Sequence, residues 1–595
     1  MKYSLINKIF FGLSKSQKRK AFFVLFSSFL NSLLDVLGLA SILPVIAIML
    51  NKELIQKNHI VNFVYTQLHF NSADNFLMFL FILLLCIFIF RAFFFVFIAR
   101  FHIRFSYDIA NDYLKKVAYY YCGQDLLFFK NKSSGELYKN MRVIPIQFAR
   151  FVVMPFIGIF SELVVLLIII SGIFMYNYKL FFLLLLTIGP FILFFYNTVK
   201  KKVGKIGEEI DRVSVILHRD IQEIIEGYVD IKLNNSDDFF VEKLFAKNSY
   251  NSSLLSSIAV HQLLPSKIIE VTAVSCLCLI FFFATFIDKG NTELLMLMGI
   301  YITASYRILP SFNKLTNSML LIKEYEYMFD ILEKPIIFFK QMVSNSKGEK
   351  SISFKKSIFL NNITLNFNQR ENPVLDSANI EITKGEICGL IGESGAGKTS
   401  IANLILGFFE PTSGNIYIDG VLLTDDKLVD WRKKASYVQQ NIFILNGNLI
   451  DNIGFGIPKN KISIEKVKKC IEMASLTSLV EQLPEGINTN IGEHGAKLSG
   501  GQCQRIAIAR ALYHDCELLI FDEATSSLDD STEKEITEVI KQMTIGNNLT
   551  VIMIAHRITT LKYCNKIYNI QNGKVEGIYS YNEILAKRNL YTKVS

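Results

Sequence analysis

None of the nine cysteines stands in a C-x2-C pair, and Cys276 and Cys278 sit inside an apolar run. Structural zinc and a disulfide framework are therefore not expected, which fits a reducing cytosol or lipid surroundings. No small-residue cleavage site follows the first apolar stretch, so the N-terminus does not read as a signal peptide. Charge is scarce along much of the first ~320 residues and ordinary in the remainder. The basic excess, a net +10, flanks the apolar blocks, so it points to a membrane and away from nucleic acid.

What the chain does have is hydrophobic bulk. Half of its 595 residues are apolar and 50 are phenylalanine, and this length implies two or more domains. Spanning candidates lie near 21–50, 76–99, 152–176, 180–199, 268–287 and 294–318, each close to the ~20 residues a bilayer core needs. The segment 100–150 is rich in Lys and Arg, and the segment 200–267 opens with Lys200, Lys201, Lys202 and Lys205. The positive-inside rule puts both segments, and both termini, in the cytoplasm. Helical patterning there predicts extensions reaching ~37 Å beyond the membrane. Their tips, around Phe128 and Tyr228, are candidates to couple to a cytoplasmic domain. Apolar residues from Leu54 to Leu68 predict either a short interfacial helix or an amphipathic loop packed on the bundle.

Charges within the spans are costly in hydrocarbon. Asp35, Arg91, Glu162, Glu270 and Arg307 are such charges. The carboxylates read equally well as partners that hold helices together or as cavity groups. Arg307, followed by Pro310 and Asn313, reads as cavity lining.

Residues 333–351 turn polar, with Pro, Ser and Gly, and read as a linker between a domain at 1–332 and a second at 352–595. In the second domain an apolar strand-like run leads into Gly392-Glu393-Ser394-Gly395-Ala396-Gly397-Lys398-Thr399, and Ser400 opens a helix-like run. This strand–loop–helix context gives G-x-x-x-x-G-K-[ST] its meaning as a phosphate cradle. Backbone N–H groups of 392–400 would face phosphate oxygens, Lys398 would reach the β- and γ-phosphates, and the Thr399 hydroxyl would ligate Mg2+. Phe367 stands 25 residues before Gly392, where an aromatic ring could stack on adenine or simply fill the core.

Tyr437-Val438-Gln439-Gln440, Leu498-Ser499-Gly500-Gly501-Gln502, Leu518 to Asp522-Glu523, Ser526-Ser527-Leu528-Asp529 and His556 follow in order. With these, the chain resembles the ATP-binding-cassette family over 352–580. The resemblance implies ATP and Mg2+ as cofactors, with Asp522 organising the ion and Glu523 polarising the attacking water. It further implies that Gln440 links the ion to the membrane helices and that His556 contacts the γ-phosphate. Ser499, Gly500, Gly501 and Gln502 would complete the site of an opposite subunit, so one cassette with six spans implies a homodimer. Two positions depart from the family pattern: Phe367 where Tyr is usual, and Cys503 where Lys or Arg is usual.

The expected architecture is thus a multi-domain membrane protein, a six-helix all-α transmembrane domain followed by an α/β P-loop NTPase. Fusion in this order resembles exporter (type IV) half-transporters of the bacterial inner membrane. Phe90-Arg91-Ala92, Ser161-Glu162, Pro265 with Glu270, and Tyr306 to Ser311 with Asn313 resemble lipid-linked oligosaccharide flippases. That resemblance implies a membrane lipid as partner and an amphipathic, polyprenyl-pyrophosphate-linked glycan as cargo. Arg91 and Arg307 would be the phosphate-binding candidates. An exporter of a peptide or hydrophobic small molecule is the alternative, and a non-transporting ATP-gated regulator the third reading. The roles of Asp35, Glu162 and Glu270 stay open on sequence.

Overall fold

The computed structural model describes residues 5–591, except 51, 53, 58, 71, 177, 287–291, 345–349, 368–371, 493–497, 523–529, 548 and 556. Inside the helices, side chains along 183–198 and 283–307 also fall outside the described set. The chain divides into two compact units, Met1–Ser344 and Asn345–Ser595.

The first unit is helical. Its principal helices are α1 (Lys15–Ala40), α2 (Ile42–Leu50), α3 (Ala73–Cys122), α4 (Met154–Tyr176), α5 (Tyr178–Glu226), α6 (Asp237–Phe286), α7 (Thr292–Glu324) and α8 (Tyr327–Ser344). Among the described residues, Lys15–Gly38, Ala73–Cys122 and Ser134–Met175 are long and apolar enough to cross a membrane. The other three expected spans fall on α5, α6 and α7, much of whose apolar stretches lies outside the described side chains. At 1.5 Å per residue the 50-residue α3 is about 75 Å long, more than twice a bilayer core, so it extends well past its apolar part. Its lower half packs a core of Ile109, Tyr113 and Val117 against Ile144, Phe148 and Val152.

The segment after α2 forms two short helices, Leu54–Lys57 and His59–Gln67. Ile55, Val61 and Val64 pack with Ile48, Phe76 and Leu77, while Phe63 and Leu68 stay exposed. The tips of the extensions differ from each other. The Phe128 ring lies against Tyr120, Tyr121 and Phe129 in a helix capped by Asp125, whereas Tyr228 is exposed.

The expected boundary at 332/333 is corrected. Residues 333–344 continue α8, because Met328, Leu332 and Ile336 recur at the i, i+4 spacing of one helix face and are buried in the first unit's core. Pro335 lies inside this helix and does not end it. The division between the units comes after Ser344.

The second unit is α/β. Its strands are β1 (Ser357–Leu365), β2 (Leu375–Thr383), β3 (Ile387–Gly392), β4 (Ser413–Ile418), β5 (Val421–Leu422), β6 (Ala435–Val438), β7 (Leu518–Asp522), β8 (Thr550–Ile554), β9 (Lys566–Gln571) and β10 (Lys574–Tyr579). An antiparallel sheet runs β2-β1-β4-β5, and a second sheet runs β10-β9-β3-β8-β7-β6. In the second, β9, β3, β8, β7 and β6 are parallel. β7 and β8 are buried along their whole length, as expected of parallel strands covered on both faces.

Candidate functional site

Parallel register sets the site. Val438 lies beside Phe521, Asp522 beside Ile554, and Ile554 beside Leu390, so β6, β7, β8 and β3 end in one row. Ligands of open α/β sheets bind at such carboxyl ends. Gly392, Asp522 and the residues just past Val438 and Ile554 therefore converge. Gln440 sits exposed two residues past β6. Glu523 directly follows β7 and His556 follows β8 by two positions, but both lie outside the described residues, as do 526–529.

β3 turns into the loop 392–397 and then the helix α9 (Lys398–Ile405). Gly397 has φ +102°, and a Cβ there would stand 2.7 Å from Leu375 and 2.9 Å from the Val374 carbonyl, so this position requires glycine. Lys398 is buried, and its Nζ donates to the carbonyls of Gly392 and Glu393 at 2.9 Å each, which holds the ammonium over the loop. A cleft of about 640 Å³ lined by Glu393, Ser394, Gly395 and Ala396 opens beside it. At the far end of α9, Trp431 Nε1 donates to the Ile405 carbonyl and Arg432 to those of Leu406 and Gly407. These bonds satisfy carbonyls that the helix itself leaves unpaired.

Thr399 Oγ1 donates to Asp522 Oδ1 at 3.1 Å, and the Tyr437 hydroxyl donates to Asp522 Oδ2 at 2.6 Å. Burial, and then the Asp522 carboxylate, push the Tyr437 hydroxyl far above its ordinary value, so it remains a donor. A hydroxyl and one carboxylate are hard oxygen donors that suit Mg2+, an ion commonly held by one or two carboxylates plus substrate phosphates. When bound, the ion would offset charge on those phosphates, and Thr399 and Asp522 would hold it.

Ser499 caps the helix α10 (Gly500–Tyr513) in a reciprocal box: its Oγ accepts from Gln502 N, and Gln502 Oε1 accepts from Ser499 N at 2.9 Å. Gly500 and Gly501 thus form its first turn. Burial raises the Cys503 thiol, which makes it a poor nucleophile. The Phe367 ring meets Phe409 edge to face at 5.4 Å, so its position is set by an aromatic pair.

Two contributors went unnoticed in the sequence. One is the Tyr437 hydroxyl, although its tetrapeptide stood out. The other is Glu533, on the helix α11 (Asp530–Asn547). Buried Glu533 accepts from Arg557 Nη1 at 3.0 Å, Thr559 Oγ1 at 3.2 Å and the Thr560 hydroxyl. It clamps the turn that begins immediately after His556. Its position four residues beyond Asp529 was the available signal.

Each carboxylate expected within the spans pairs with a basic side chain. Arg91 Nε and Nη2 both lie 2.8 Å from Asp35 Oδ1, so this carboxylate holds the guanidinium in place. Lys314 Nζ donates to Glu162 Oε1 at 2.7 Å, a pairing that the sequence reading did not weigh. Glu270 is exposed and meets Lys267 one turn away. Arg307 lies on α7, but its side chain is outside the described residues.

Comparison with known proteins places this geometry. The family described as "ABC transporter" matches residues 375–526. A protein of Wigglesworthia glossinidia brevipalpis named "ATP-dependent lipid A-core flippase" is 30% identical over 476 residues, covering 78% of this chain and 79% of the relative. A protein of Ralstonia nicotianae with the same name is 28% identical over 442 residues, 73% of each chain. A solved structure of a bacterial Atm1-family ABC exporter with ATP bound has the same fold, with a TM-score of 0.78 over 97% of each chain at 19% identity. This chain belongs to the ATP-binding-cassette transporter family, as an exporter-type half-transporter whose cassette hydrolyses ATP to drive transport.

Proposed function

We propose that this protein is an ATP-driven flippase of the bacterial inner membrane that moves a lipid bearing a glycan, specifically a polyprenyl-pyrophosphate-linked oligosaccharide. One observation carries the reading. The 476-residue similarity to a lipid A-core flippase is too long for the unit Asn345–Ser595 to contain, so it extends into the helical half, where cargo is selected.

In this reading two copies pair, each cassette lending Ser499 to Gln502 to the other's nucleotide. The loop 392–400 and Lys398 bind phosphates, Thr399, Gln440 and Asp522 serve the ion, Glu523 acts as general base and His556 steadies the γ-phosphate. Phe367 stacks on adenine, and the cytoplasmic side holds both termini.

Proteoliposomes holding a polyprenyl-pyrophosphate oligosaccharide test the proposal. Wild type should move the glycan across the bilayer only with ATP, and Glu523→Gln should bind ATP yet lose nearly all turnover and movement. Movement that is absent from wild type, or undiminished in Glu523→Gln, would sink it.

A further inference from the structure

A basic cluster stands just before the first expected span, 21–50. Lys15, Lys18 and Arg19 recur at the i, i+3 and i+4 spacing of one face of α1, and all three are exposed. The same face continues as Phe22, Phe26 and Phe29, which are 68%, 57% and 40% exposed. Ala21, Val24 and Ser28 lie on the opposite face and are buried. The backbone leading into α1 gathers two more cations. Lys340 on α8 donates from Nζ to the Phe11 carbonyl at 2.7 Å and sits 3.5 Å from the centre of the Phe11 ring. Lys116 on α3 donates to the Gly12 carbonyl at 2.6 Å.

Protein carboxylates do not balance this charge. Asp112 takes Lys116 at 2.6 Å and Asp108 lies 3.8 Å from Lys20, but Lys15, Lys18, Arg19 and Lys340 pair with no carboxylate among the described residues. Burial, and then the charges of Lys116 and Lys18, hold the Lys340 ammonium below its ordinary value, so these three cations feel one another. A positive cluster at the foot of an exposed apolar stripe is complementary to an amphipathic anion. Phosphate suits the ammonium groups and the Arg19 guanidinium, and acyl chains suit the phenylalanines. A zwitterionic headgroup would bring a cation of its own, which the cluster would repel. We infer that Lys15, Lys18, Arg19 and Lys340 bind the phosphate of an anionic membrane phospholipid whose chains lie along Phe22, Phe26 and Phe29. This lipid sits on the outside of the helix and is independent of the cargo.

Native mass spectrometry of the full-length protein in detergent, titrated with dioleoylphosphatidylglycerol or dioleoylphosphatidylcholine, tests the inference. Wild type should bind the glycerol lipid about tenfold or more tighter. Lys18→Gln and Arg19→Gln should each weaken it about fivefold, and the double variant about 25-fold, with phosphatidylcholine unchanged. Without anionic lipid, Lys18→Gln should melt no lower than wild type, because it removes a repulsion. Lys201 and Lys202 are exposed on α5, just beyond another expected span, and serve as the control. Changing both to Gln should leave the glycerol lipid's affinity within about twofold. Equal binding of the two lipids by wild type, undiminished affinity in the Lys18 and Arg19 double variant, or an equal loss in the control would overturn the inference. Displacement of the glycerol lipid by millimolar inorganic phosphate would assign the cations to a soluble anion. A fall from dimer to monomer mass in the double variant, with lipid affinity unchanged, would make this face a subunit contact. Either result removes the lipid site.

Discussion

Replacing Glu533 with alanine should damage turnover more than nucleotide affinity. The carboxylate holds the turn after His556 through two threonine hydroxyls and Arg557. Each hydroxyl bond contributes about 1 kcal/mol. The Arg557 side chain is 45% exposed, so its ion pair adds at most about 1 kcal/mol after solvent screening. The cassette should therefore lose about 2–3 kcal/mol of stability, and Glu533→Gln, which keeps one acceptor, about half of that. His556 adjoins Arg557 directly, so loosening this turn moves the residue read as the γ-phosphate contact. Misplacement near 1 Å can cost up to ~100-fold, and a loss of about tenfold in kcat is expected. The KM for ATP should change by less than about threefold, because Lys398 and the loop 392–397 stand on other elements. Steady-state ATPase kinetics beside calorimetric melting would show the split. If Glu533→Ala melts lower yet keeps kcat within about twofold, the glutamate stabilises the fold without positioning His556.

Three further outcomes follow from described contacts. Arg91→Ala should lower the melting free energy by about 3 kcal/mol by taking the cation from Asp35, and adding Asp35→Ala should restore part of it; an unchanged melting curve for the single variant would remove the pair's structural role. Phe128→Asp should destabilise the helical unit by about 3 kcal/mol because the ring packs on Tyr120 and Tyr121, whereas exposed Tyr228→Asp should stay within about 0.5 kcal/mol; equal melting of the two variants would refute the distinction. Burial pushes the Glu324 carboxyl from its ordinary 4.5 up to about 7, beyond the end of the expected span 294–318. The unfolded chain therefore ionises first, and stability should fall by about 3 kcal/mol as pH rises from 4.5 through 7, then level off. Glu324→Gln should flatten that profile, and a parallel profile in melting experiments would exclude Glu324 as its source.

The nucleotide end was legible because its chemistry restricts residue types tightly. The loop's positive φ and the closeness of Leu375 demand glycine at Gly397, a phosphate-binding lysine follows it, and Asp522 ends a buried strand. Local periodicity also exposed the long helices. What escaped depends on packing across distance. The Arg91–Asp35 and Lys314–Glu162 pairs join helices far apart in sequence, and no local pattern announces them. The linker misled for the opposite reason: Pro335 and nearby polar residues read as a break, while burial of Ile336 in the helical core kept α8 continuous. Tyr437 acts through a hydroxyl that the register of β6 and β7 brings to Asp522, and Glu533 through contacts from α11 to the turn 557–560.

The box at the start of α10 uses the two chemical faces of one hydroxyl differently. Ser499 Oγ accepts from Gln502 N, which occupies a lone pair and leaves the hydroxyl hydrogen uncommitted to the cap. The helix start is therefore fixed by what the serine receives, and what the serine can give is still available. In a pair of cassettes, that hydrogen could be handed to a phosphate oxygen on the facing subunit while the cap stays whole. Assembly and release of the shared site would then leave the helix intact, so repeated closure need not include refolding its first turn.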